Sequence, residues 1–219
     1  MTAKKTMDIK KLVVLAMFAA LAYASVALFR IPVVLFLKYE PKDCILAICG
    51  MLYGPLPAMV TAAVVGLIEM VTVSETGIIG LVMNLLSSAL FVLPAAFLYQ
   101  RKRSLSGAVV GLACGALLMT AGMLLWNWLI TPLYMHMPQQ AVAELLLPAF
   151  LPFNLLKATL NAVLTVLLYK GVVTTLRKAH LVPQTERANN RKLGISVGVV
   201  GLAVLAMLIL ILLVWKGIL

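Results

Sequence analysis

The chain has 219 residues, 63% of them hydrophobic and 11% charged, with a formal net charge of +11. Ordinary soluble domains are about 45–50% apolar and about 25% charged, so this is read as an all-α integral membrane protein with no polar stretch of the ~50 residues that a separate soluble domain needs. The charge is not a nucleic-acid signal, because Lys and Arg fall in short runs between apolar segments, the positive-inside pattern of membrane proteins.

Lys4, Lys5, Lys10 and Lys11 precede the first apolar run, 12–28. A basic start before apolar residues mimics a signal peptide, but no small-residue cleavage site with a soluble domain behind it follows, and the run is read as a transmembrane helix. Its Ala16, Ala20 and Ala24 recur every four residues. Such a stripe lets a neighbouring helix approach closely, either on another subunit or inside the same bundle. An outer loop, 30–42, carries Tyr39 and Glu40. Segment 43–53 is too short to span alone, since a spanning helix needs about 20 residues. It is expected to be tilted or partly re-entrant and protected inside the bundle. Its Cys44 and Cys49 lack metal-ligand spacing and read as small packing residues.

Further helices are expected over 58–73, 78–99, 105–130 and 145–169. Residues 170–192 read as a cytoplasmic extension and linker, and a last apolar run covers 193–215. The expected organisation is a six-helix membrane domain, 1–178, a cytoplasmic linker, 179–192, and an additional C-terminal transmembrane helix within 193–219. Three basic clusters set the topology: the N-terminus, Arg101-Lys102-Arg103, and the run from Lys170 to Lys192. All three face the cytoplasm only if segment 43–53 crosses the membrane. The N-terminus is then cytoplasmic, and loops 30–42, 74–77 and 131–144 face outside.

Lys157 stands in the middle of the sixth helix. A cation at that depth costs roughly 2.5–3.5 kcal/mol on insertion scales and usually faces a bundle interior or cavity. Asn154 lies three residues before it, on the same helix face. Lys157 either serves a polar small-molecule site, pairs with the internal acid Glu69, or snorkels to the interface. Asn127 and Asn84 fall toward the same outer half. Amides and one ammonium suit a neutral heterocycle, with Trp126, Trp128, Tyr39 and Phe153 as stacking faces. The tryptophans equally suit an interfacial belt, and Asn84 an interhelical hydrogen bond. Glu69 either pairs or lines the ligand's entrance. No enzyme is expected: His136 and His180 lie in loops on opposite sides, Ser87-Ser88 has no adjacent base, and no carboxylate pair sits at catalytic spacing. No cofactor is expected either. No phosphate loop of the Walker type occurs, so any coupled ATP hydrolysis belongs to another chain.

Two strings are specific: Trp126-Asn127-Trp128-Leu129-Ile130-Thr131-Pro132-Leu133-Tyr134-Met135 and Leu151-Pro152-Phe153-Asn154-Leu155-Leu156-Lys157. With Phe36-Leu37-Lys38 and Gly54-Pro55, they make residues 8–178 resemble the substrate-binding S-component of energy-coupling factor (ECF) vitamin transporters, most closely the riboflavin-binding type. The resemblance implies a six-helix bundle in a bacterial cell membrane that captures riboflavin, or a related vitamin, from outside. It implies that Asn127, Asn154 and Lys157 hydrogen-bond the isoalloxazine ring, and that loop 31–42 closes over the ligand. It further implies docking, through the alanines of the first helix, to a membrane scaffold subunit with two cytoplasmic ATPases. Two positions depart from the family. Its acidic outer-loop motif appears here as Glu40-Pro41-Lys42-Asp43, and the equivalent of Glu69 is commonly basic in the riboflavin type. The alternatives are an S-component for another vitamin or heterocycle, a stand-alone secondary carrier for a small solute, or a membrane scaffold that binds no ligand.

Overall fold

Apolar runs and their breakers shape the bundle. The computed structural model describes residues 9–34 and 37–181, so the linker from 182 onward and the run 193–215 lie outside the described residues. Helix α1 (Ile9–Leu28) leads into an antiparallel pair, β1 (Ile31–Val34) and β2 (Leu37–Tyr39), with Ile31 opposite Tyr39 and Pro32 opposite Lys38. Then come α2 (Lys42–Tyr53), α3 (Pro55–Thr72), α4 (Gly77–Lys102), α5 (Leu105–Met135), α6 (Gln139–Leu145) and α7 (Leu151–Lys178). A π-helical turn, Leu146–Phe150, joins α6 to α7, so that Gln139–Lys178 is one rod. Among the described residues, five helices are long and apolar enough to cross a membrane: α1, α3, α4, α5 and this rod.

The short α2 has 12 residues. It is ~18 Å long at 1.5 Å per residue, well below the ~30 Å of a bilayer's hydrocarbon core. Its Leu46, Ala47, Ile48, Cys49, Gly50 and Met51 are all buried, and it packs on α1, α3, α4 and α7. A helix apolar on every side belongs in a core. Its far end does not turn back. Gln100 donates to the Met51 carbonyl at 3.2 Å, the Tyr53 hydroxyl donates to the Leu181 carbonyl at 3.4 Å, and Lys11 sits 5.8 Å from the Tyr53 ring centre. The end of α2 therefore meets the start of α1 and the ends of α4 and α7. The segment is protected inside the bundle, as expected, and it runs from the pocket end of the bundle to the opposite end.

Loop 131–144 is mostly helical, contrary to expectation. α5 continues through Pro132 and stops only at His136, whose φ of 52° is left-handed. A proline removes its own N–H but does not force the left-handed turn that ends a helix. The next helix likewise starts at Gln139, after Pro138, instead of at 145.

α4 and α5 are the most closely packed pair. At Gly115 a Cβ would collide with the Phe91 carbonyl, and at Gly111 it would lie 3.0 Å from the Ala95 Cα. Bare Cα atoms are what allow these two backbones to touch. At Gly171, by contrast, a Cβ would meet nothing within 4 Å. Gly115→Val should therefore lower stability by about 1–3 kcal/mol through overpacking, read as a lower melting temperature in detergent. Gly171→Ala should hold or raise it, since alanine favours a helix by ~1 kcal/mol over glycine.

Candidate functional site

At the end where α1 finishes and α4 begins, the bundle opens into a pocket of about 680 Å³, counted with its mouth. One wall is the hairpin region, with Arg30, Leu37, Lys38 and Glu40. Glu75 and Thr76, from the α3–α4 turn, form the rim. Met83, Asn84 and Ser87 of α4, Met123 of α5, and Phe153, Asn154 and Lys157 of α7 complete it. The π-helical turn ends just before Phe153, and such turns recur at functional sites.

Directly beneath lies a chain of buried charges centred on the start of α2. Lys42 Nζ is 2.6 Å from Glu69 and 3.2 Å from Glu40, and all three side chains are at most 4% exposed. Glu40 also meets Arg30 Nε at 3.1 Å. Asp43 accepts from the Ser88 hydroxyl at 2.5 Å and stands 3.9 Å from Lys157 Nζ. Three cations thus face three anions. Desolvating any one alone costs several kcal/mol, so balance and close pairing are what make the cluster tolerable. Burial pushes the Glu40 carboxyl up, but Lys42, Lys157 and Arg30 outweigh it and hold the group below its ordinary range.

Asn161 ties this cluster to α7. Its Oδ1 accepts from the Cys44 N–H at 3.1 Å, and its Nδ2 donates to the Lys157 carbonyl at 3.0 Å and toward the Glu40 carbonyl at 3.5 Å. The first turn of α2 has no side-chain cap of its own, so one of its orphan N–H groups is satisfied from another helix.

The structure sorts the residues singled out from sequence. Lys157, Asn154, Asn84 and Glu40 meet in the pocket wall, with Phe153. Asn127 is fully buried, donating to the Met123 carbonyl at 2.7 Å and accepting from Thr131 at 3.0 Å. Tyr39 packs against Leu156 and Leu160, and Trp126 against the main core. Neither lines the pocket, and Trp128 is 40% exposed on the outside. Glu69 does not pair with Lys157. It takes Lys42, and the Asn84 amide donates to it at 3.2 Å. The reason is that α2 starts between α3 and α7. Successive helix residues point about 100° apart, so Lys42 reaches α3 and Asp43 reaches α7. Arg30, Lys42, Asp43, Ser87 and Asn161 were not singled out as site residues from sequence. Asn161 was within reach, because Asn154, Lys157, Asn161 and Thr165 continue one polar stripe at steps of three and four.

The chain is similar to known proteins. A family model described as "ECF transporter, substrate-specific component" matches residues 10–169. The riboflavin transporter FmnP of Bacillus subtilis (strain 168) is 31% identical, with 80% of this chain and 100% of that protein covered. The riboflavin transporter RibU of Staphylococcus aureus (strain TCH60) is 25% identical over 77% of this chain and 93% of that one. A solved structure of the S component of a bacterial ECF transporter superposes with a TM-score of 0.65 at 24% identity, over 77% of this chain and 98% of the other. That likeness shows the fold.

Lys42→Met leaves Glu69 and Glu40 buried beside each other with their shared cation gone. The expected cost is about 3–5 kcal/mol, as for other buried pairs broken on one side, seen as a large fall in melting temperature in detergent. Because Glu40 is held below its ordinary range, its contribution is fully present above that range and is lost as pH falls through its lowered value. The stability gap between the parent and Glu40→Gln should be complete at neutral pH and close only on strong acidification, measured by melting curves across pH.

Proposed function

We propose a function from this premise: the chain belongs to the family of ECF transporter substrate-specific components. It is a multi-pass membrane protein whose task is to capture riboflavin, or a closely related flavin, from outside the cell. The observation that carries this reading is the pocket formed by Asn84, Asn154 and Lys157, taken with the 31% identity to a riboflavin transporter. The Asn154 amide nitrogen is committed to the Phe150 carbonyl at 2.8 Å and that of Asn84 to Glu69. A carbonyl and a carboxylate only accept, so each contact uses one amide N–H and leaves Oδ1 and the second N–H available to a ligand. Lys157 supplies donors. Acceptors beside an ammonium suit the edge of an isoalloxazine ring, where one imide N–H is flanked by carbonyls.

Orientation follows from charge. Lys10, Lys11, Arg101–Arg103 and Arg177-Lys178 gather at the end remote from the pocket. Positive residues favour the cytoplasm, so the N-terminus is inside and the pocket opens outward, with the hairpin as its cover. In α1, Val14, Phe18, Ala22 and Val26 face the core, whereas Ala16 and Ala20 are exposed and Ala24 half-buried. That outward stripe is the docking face for the ECF scaffold subunit, which joins two cytoplasmic ATPases in driving release.

Titration of the purified full chain with riboflavin should quench the flavin's fluorescence saturably, and absence of saturable quenching would sink the flavin reading. Asn154→Ala should weaken binding by about 1–3 kcal/mol, the range for a buried polar partner left unsatisfied. Ala20→Trp should leave binding by the isolated chain intact and abolish ATP-dependent uptake in cells. Full uptake by that variant would remove α1 from the docking interface.

A further inference from the structure

Among the described residues, the buried helical serine and threonine hydroxyls have hydrogen-bond partners, with one exception. Thr61, Thr120 and Thr165 each donate to the carbonyl four residues back, at 2.9, 2.8 and 2.6 Å. Ser25 donates to the Ala22 carbonyl at 2.7 Å and Thr131 to Asn127 at 3.0 Å. Ser88 donates to Asp43. Ser87 is 2% exposed, and its Oγ has no hydrogen-bond partner. The ordinary escape for a helical serine is the carbonyl four residues back, here that of Met83, and Ser87 leaves it unused. It stands in the pocket wall, one turn beyond Asn84 on the same helix face and in one lining with Met123, Asn154 and Lys157.

We propose that Ser87 is a ligand-contacting residue whose hydroxyl donates to an acceptor oxygen or nitrogen of the bound flavin. This rests on the flavin reading above. The chemistry of the wall explains the need. Asn84 and Asn154 have each committed one amide N–H to a protein acceptor. A flavin ring carries more acceptors than donors, so a further donor in the wall has a place on its edge. Ser87 is the buried hydroxyl donor left uncommitted in the wall, and Met83 and Met123 in the same lining give it soft apolar neighbours that adapt to an aromatic face.

An unpartnered buried hydroxyl weakens the empty protein and strengthens the complex, so its removal has opposite effects on the two. A serine with a purely structural role has no such signature. The test uses the full chain in detergent, with riboflavin titrated by fluorescence quenching and the melting temperature of the flavin-free protein measured in parallel. Ser87→Ala should weaken riboflavin binding about three- to tenfold, the loss of one neutral hydrogen bond, while the empty protein melts at the same temperature or higher. Ser88→Ala, which strips Asp43 of its donor, should instead lower the melting temperature of the empty protein. Unchanged affinity in Ser87→Ala, or a fall in the melting temperature of its empty form, overturns the assignment. A parent chain that does not bind riboflavin overturns the flavin reading itself, a result distinct from a parent and a variant that bind equally well.

Discussion

The Lys42 ammonium, held between two buried carboxylates, is the interaction on which the site depends. It fastens the start of α2 to α3 through Glu69 and to the hairpin through Glu40. With Lys42 placed, Asp43 faces Lys157 and the Cys44 N–H meets Asn161. Three consecutive residues thereby join three walls of the bundle. In a low-dielectric interior such groups have no water to fall back on, so each is committed to its partner. The floor of the pocket is correspondingly well defined.

The shortness of α2 creates the space above it. A helix of full membrane length would fill the bundle from end to end. This one begins only at Lys42, and the hairpin before it lies against the pocket. The fastenings of that hairpin differ in kind. At the rim, Lys38 meets Glu75 at 2.6 Å, but Glu75 is 73% exposed, and such a pair contributes about 0–1 kcal/mol. The pairs at the floor are buried. Under the capture proposed above, a ligand enters by parting the weak outer contact and leaves the buried cluster in place.

The bundle divides its labour between faces. α4 and α5 are pressed together through Gly111 and Gly115, a rigid pair that carries Asn84 and Ser87 on one side and Met123 on the other. α1 buries the stripe of Val14, Phe18, Ala22 and Val26 and leaves Ala16 and Ala20 outside. Under the function proposed above, a rigid wall at the pocket and a docking face on a different helix let binding and docking be altered separately.

Much was legible in the chain by itself, because hydrophobic periodicity and length are local properties. Residue order alone marked the long apolar helices, the protection of segment 43–53 inside the bundle and the shared face of Asn154 and Lys157. Where helices end was less legible: the Thr131-Pro132 signal lost to a stop at His136, since the ending turn depends on backbone conformation more than on one missing N–H. The pairing of charges could not be read at all. That Glu69 takes Lys42 and not Lys157 depends on which sides of α2 face α3 and α7, a relation between segments 27 residues apart and more. The same holds for Ser87 and Ser88, neighbours in sequence. A rotation of about 100° per residue turns one hydroxyl to Asp43 and the other to the pocket, and only the packed bundle decides which is which.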